Sequence, residues 1–195
     1  KVVGSVFDSA MGGPTVRDKE GPDIPDQWGI RRVGYLPKSD PDSAWNVLDG
    51  EQKNVVVAVI DTGLDMTHPD GPQNIWMNSQ EVPENKIDDD NNGYVDDVYG
   101  WNFLNDTGDL TDVKGHGTFV AGIIAAKRNN GMGIAGINPG AIIMPLKVGN
   151  EEGETNSFNI YRAIMYAVNH GAQVINVSLG AQGVSELEQK AIQYA

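Results

Sequence analysis

Three runs of apolar, largely β-branched residues stand out along the chain: residues 55–60 (VVVAVI), 142–148 (IIMPLKV) and 174–177 (VINV). Runs of this kind lack the alternation of a half-exposed strand, so each predicts a strand covered on both faces. Between and after them the apolar positions change to helical spacing. Residues 118–127 form one such segment. Residues 158–170 form a second, with Ile160, Ile164, Ala167 and Val168 at helical spacing and Asn156 or Ser157 as its cap; residues 185–195 form a third, which reaches the C-terminus. Strands alternating with helices predict an α/β fold, a doubly wound parallel sheet flanked by helices. Because no strand follows the last helix, the sheet is expected to be incomplete in this chain, with a strand edge left unpaired. Residues 1–24 are polar, carry Gly12-Gly13-Pro14 and Gly21-Pro22 and hold no period, the mark of a tail or of the remnant of a processed segment. Residues 25–195 then make the folded unit, with Trp28 and Trp45 anchoring short segments on its surface.

Length and composition narrow the function classes. A chain of 195 residues suits one well-cored domain. No stretch approaches the ~18 consecutive apolar residues that a membrane-spanning helix needs, and the absence of Cys removes disulfides and thiolate metal sites. Twenty-seven acidic residues against fourteen basic ones leave a net charge of −13, which excludes a nucleic-acid footprint because phosphates would be repelled.

That charge is concentrated. Residues 81–112 hold ten acids and one base, Lys86. Within this window Asp88, Asp90 and Asn92, a Gly at the sixth position and Asp96 at the ninth follow the first part of an EF-hand loop, although the twelfth position is Tyr99 in place of Glu. A solvated acidic face would spread its charge, whereas carboxylates packed this closely repel one another unless a cation neutralises them. The expected ion is Ca²⁺, and the expected ligands are Asp88, Asp90, Asn92, Tyr94, Asp96 and Asp97.

Two further segments carry candidate chemistry. Asp61-Thr62-Gly63 stands at the C-terminal end of the first predicted strand, the edge at which open α/β sheets build their sites. Taken alone it reads equally well as a capped turn. His116 lies between Gly115 and Gly117 at the start of a predicted helix, with Ala121-Gly122 one turn on. A structural histidine needs no paired glycines, whereas an imidazole approached closely by neighbours and substrate does.

In order and spacing these segments resemble the subtilisin-like serine proteases. VVVAVIDTGLDMTHPD resembles that family's aspartate motif and GHGTFVAG its histidine motif; Asp26–Gly29 with Ser43–Trp45, Gly136–Pro139 and Asn176–Gly180 resemble flanking segments, so that the likeness covers residues 25–195. The resemblance implies a subtilisin-like fold in which His116 is the general base and acid, and Asp61 accepts its other ring N–H. It further implies that Ser178, Leu179 and Gly180 pair with an extended polypeptide substrate, and that the loop 150–156, with Gly153, offers the facing strand. It makes Asp70 a weaker, second calcium ligand, with residues 129–131 as the partner loop, and it implies a secreted enzyme.

The chain departs from the family at Phe119, where a second His is usual. It also contains no Gly-Thr-Ser nucleophile segment and no oxyanion Asn after the last helix. Without a nucleophile there is no acyl-enzyme, so this chain is expected to be inactive alone, with a second chain or a further C-terminal part supplying the serine. The alternative is a non-catalytic relative that keeps a peptide-binding groove.

Overall fold

The computed structural model describes residue 44 and residues 54–128, 130–180 and 185–195. The tail expected over residues 1–24, the Trp28 and Trp45 segments and Asn129 lie outside them. Among the described residues one parallel sheet is formed by β1 (Val56–Asp61), β2 (Asn74–Ile75), β3 (Trp101–Asn102), β4 (Ile142–Lys147) and β5 (Val174–Val177). Its path runs β2-β4-β1-β5, and β3 pairs with the end of β4 beyond β2. The helices are α1 (His116–Ala125), α2 (Ser157–Asn169) and α3 (Glu186–Tyr194).

The β-branched runs are explained by what covers them. Val57, Val59 and Ile143 pack on one face with Val120, Ala121 and Ala125 of α1. Ala58, Ile60, Met144 and Leu146 pack on the other with Ile160, Ala163, Ile164 and Ala167 of α2. From β1 the chain passes through α1 to β4 on one side, and from β4 through α2 to β5 on the other. The strand order therefore reverses between β1 and β5, and Asp61 ends β1 at that point, with Lys147 of β4 beside it in register.

The third run differs from its expectation. β5 is the outer strand of the path among the described residues, and Val174 and Val177 are 49% and 41% exposed. The first helix begins two residues earlier than its apolar spacing predicts, because His116 and Gly117 already take helical conformation.

Candidate active site

Asp61 ends β1 wholly buried, and His116 opens α1 with its side chain 44% exposed. The Asp61 Oδ1 to His116 Nδ1 distance is 2.7 Å, and the same oxygen accepts from the Thr62 N–H at 2.8 Å. Oδ2 is buried with no hydrogen-bond partner among the described residues. An ionised carboxylate only accepts, so the proton of a neutral imidazole belongs on Nδ1, and Nε2 is left with a free lone pair. That is the arrangement of a general base oriented by an acid.

Glycines bring the two elements this close. A Cβ at Gly117 would stand 2.2 Å from the carbonyl oxygen of Gly63, and one at Gly63 2.4 Å from that of Leu110. Across the sheet edge Lys147, 8% exposed, donates from Nζ to the carbonyls of Thr62 at 2.9 Å and Thr111 at 2.5 Å. The backbone after Asp61 is thereby tied to the segment that leads to His116. Phe119 lies beside the histidine, with ring centroids 6.3 Å apart.

Ser178, Leu179 and Gly180 follow β5 and so leave the sheet at the same edge as Asp61. Ser178 Oγ accepts from Asn176 Nδ2 at 2.8 Å, Leu179 packs against the α2 side of the core, and Gly180 is exposed. Gly153, at φ +84°, lies in a closed turn and not in the extended strand expected over 150–156. The cause is Asn150: its backbone N–H donates to the Glu154 carbonyl at 3.0 Å, and its Oδ1 accepts from the N–H groups of Glu152 and Glu154 at 3.1 and 2.7 Å.

Carboxylates of the acidic window shape its loop through the backbone. Asp88 accepts the Asn92 and Gly93 N–H groups at 3.0 and 2.8 Å, Asp96 those of Asn85 and Lys86 at 3.2 and 2.9 Å, and Glu81 those of Asp89, Asp90 and Asp96 at 2.9, 3.3 and 3.0 Å. Glu81, Asp90 and Asp97 also converge, each with an oxygen within 4.8 Å of the others. Glu81 and Asp97 are buried and Asp90 half-buried. Asn78 Nδ2 bridges Asp90 and Asp97 at 3.0 and 2.8 Å, Asn92 Nδ2 does so at 3.1 and 2.9 Å, and the Tyr166 hydroxyl donates to Asp97 at 2.5 Å. Burial pushes the Asp90 carboxyl up, but the hydrogen bonds from Asn78 and Asn92 outweigh it and hold the group below its ordinary value. Burial beside Asp97 drives the Tyr166 hydroxyl far above the usual phenol range, so it stays a donor. Tyr94 sends its ring into the aromatic cluster beneath, 5.2 Å from Trp101 and 5.1 Å from Tyr166 between centroids. Three converging carboxylates, two of them buried, form an all-oxygen donor set that suits a hard divalent cation. Glu81 has no place in the EF-hand spacing, because it joins the others only through the fold.

Asp70 has both oxygens engaged, accepting from Asn130 Nδ2 at 2.6 Å and from the Ile134 N–H at 2.7 Å. Burial raises its carboxyl against those bonds. It anchors the turn that follows α1, and Gly133, at φ +50°, leaves room for it: a Cβ there would lie 2.0 Å from Oδ2.

Comparison with known proteins bears on this site. The sequence model of the subtilase family matches residues 52–195. Subtilisin-like protease 1 of Plasmodium berghei is 36% identical over 169 residues, which are 86% of this chain and 27% of that protein. The thermophilic serine proteinase of Bacillus sp. (strain AK1) is 36% identical over 154 residues, 79% of this chain and 33% of that protein. Among solved structures, fervidolysin from Fervidobacterium pennivorans, described as a keratinolytic enzyme related to subtilisin, superposes with a TM-score of 0.63 at 29% identity, over 93% of this chain and 24% of that one. The chain thus spans between about a quarter and a third of the length of these proteins.

Proposed function

The chain belongs to the subtilase family, and on that footing we propose that it supplies the Asp61 and His116 of a Ser–His–Asp centre that hydrolyses peptide bonds. One observation carries the reading: a buried carboxylate 2.7 Å from Nδ1 of a half-exposed histidine, at the switch point of a parallel sheet. His116 takes the proton of the nucleophile and returns it to the leaving amine, while Asp61 holds the ring and stabilises the imidazolium. The serine and the oxyanion-stabilising Asn come from polypeptide outside these 195 residues, in continuation or as a second chain. Ser178, Leu179 and Gly180 form one wall of the groove for an extended polypeptide.

Calcium belongs to the same proposal. Glu81, Asp90 and Asp97 would hold Ca²⁺, whose charge would neutralise three carboxylates that otherwise repel one another. The setting is extracellular.

The test uses the complete protein with a fluorophosphonate probe and a chromogenic peptide. Covalent labelling and turnover that His116→Ala reduces by at least about 10³-fold support the proposal. The absence in these residues of a nucleophile motif is the observation that favours a non-catalytic peptide-binding relative; peptide binding with neither labelling nor turnover decides for that reading.

A further inference from the structure

Resting on the reading of Asp61 and His116 as the catalytic pair, we infer that Asp112 is the positioning residue for that pair, its one carboxylate clamping the end of β1 to the first turn of α1. The two members are 55 residues apart in sequence, so nothing local holds them at 2.7 Å. α1 also starts without a side-chain cap from its N-cap residue, Gly115, which sits at φ +80°. The first N–H groups of a helix need acceptors, and Asp112 supplies them from the loop that leads into α1.

Asp112 Oδ1 accepts from the Gly115 N–H at 2.8 Å, and Oδ2 accepts from the Thr118 N–H at 2.8 Å and its hydroxyl at 2.7 Å. The same Oδ1 accepts from the Thr62 hydroxyl at 2.8 Å. Thr62 Oγ1 in turn accepts from the Gly117 N–H at 3.0 Å, and Thr118 Oγ1 from the Asp65 N–H at 2.8 Å. The residue after Asp61 and residues on both sides of His116 therefore close on one half-buried carboxylate. A displacement of either element breaks a charge-assisted hydrogen bond. The four hydrogen bonds that this carboxylate accepts in the network come from Thr62, Gly115 and Thr118, so Asp112 acts through Thr62 and the start of α1.

The charged groups bonded into this network are Asp61 on β1, Asp112 on the loop before α1, and Lys147 of β4, which donates to the Thr62 carbonyl. Asp112 places negative charge at the N-terminus of α1, where it complements the helix dipole. Without that carboxylate the first turn of α1 loses its acceptors and its tie to Thr62, and the contact between His116 and Asp61 loosens.

The experiment compares the complete protein with its Asp112→Asn and Thr62→Val variants by the NMR resonance of the His116 Nδ1–H proton and by kcat and KM on a chromogenic peptide. Both variants are expected to weaken that resonance, with kcat down by at least about tenfold and KM within about twofold. An unchanged resonance and kcat in the folded variants overturn the inference, even if melting temperatures fall, because a purely structural role predicts that pattern. Thr62→Val leaves the Asp112 carboxylate and its bonds to Gly115 and Thr118 in place while removing the tie to β1 and the acceptor of the Gly117 N–H, so it decides the matter if Asp112→Asn does not fold. A wild-type protein without peptidase activity rejects the proposed function instead; the Nδ1–H resonance needs no turnover and still judges Asp112.

Discussion

At the scale of single residues, the site depends on backbones approaching closer than side chains allow. Gly117→Ala puts a methyl group 2.2 Å from the Gly63 carbonyl. Since backbone must move, His116 shifts relative to Asp61, and a misplacement of about 1 Å costs on the order of 10²-fold in rate. The expected outcome is that loss in kcat with a lowered melting temperature; activity within a fewfold of wild type would show that the contact relaxes elsewhere. Asp112 makes a second prediction. Burial pushes its carboxyl up, but hydrogen bonds from Thr118, Thr62 and Gly115 prevail and hold it below its ordinary value. The native state therefore binds this proton less readily than the unfolded chain does. The contribution to stability is complete above the unfolded pKa and disappears as pH falls through the lower native one. Melting temperature against pH should accordingly fall less steeply on the acid side, below about pH 4, in Asp112→Asn than in wild type.

At the scale of elements, β4 contains a proline in the middle of a sheet, where a missing N–H is usually not tolerated. Two neighbouring bonds show why it stands here. The carbonyls of Ile143 and Lys147 accept from Trp76 and Phe103 on the β2 and β3 side, so Pro145, between them in alternation, faces that side too. β2 pairs with β4 only as far as Ile143, and β3 starts at Leu146, so Pro145 lies in the gap between them. Gly100 fills the gap, approaching so closely that a Cβ would lie 2.1 Å from the Pro145 oxygen. Helix α2 starts as its sequence predicts: Asn156 accepts from the Asn159 N–H at 2.9 Å. Asn156→Ala should lower stability by about 1 kcal/mol, read from chemical denaturation, without moving the active site.

At the scale of the whole molecule, the acidic window is joined to the core through aromatic rings and Asp97, which receives the Tyr166 hydroxyl of α2. Removing calcium is therefore expected to lower the melting temperature of the whole protein; a ligand present at 100 times its Kd is worth about 2.7 kcal/mol. Glu81→Gln or Asp90→Ala should abolish most of the difference between chelator and calcium, and identical curves with and without chelator in wild type would reject the site. The fold class and the three longest strands were legible in the chain as apolar β-branched runs, which burial on both faces demands in β1 and β4. His116 could be singled out by the glycines on both sides of it, and Asp61 by the resemblance of its segment to the aspartate motif of the subtilases. Asp112, Thr62, Lys147 and Glu81 could not, since polar residues on loops look alike until something brings their atoms together. That β5 is the outer strand of the path among the described residues was equally hidden, because strand order is set by pairing through space. Local sequence thus determined the elements, their caps and the reactive pair, through propensities and contacts that act over a few residues. Which carboxylates converge and which residue clamps the pair was decided by the tertiary structure alone, because hydrogen bonds and charges act through space between residues far apart in the chain.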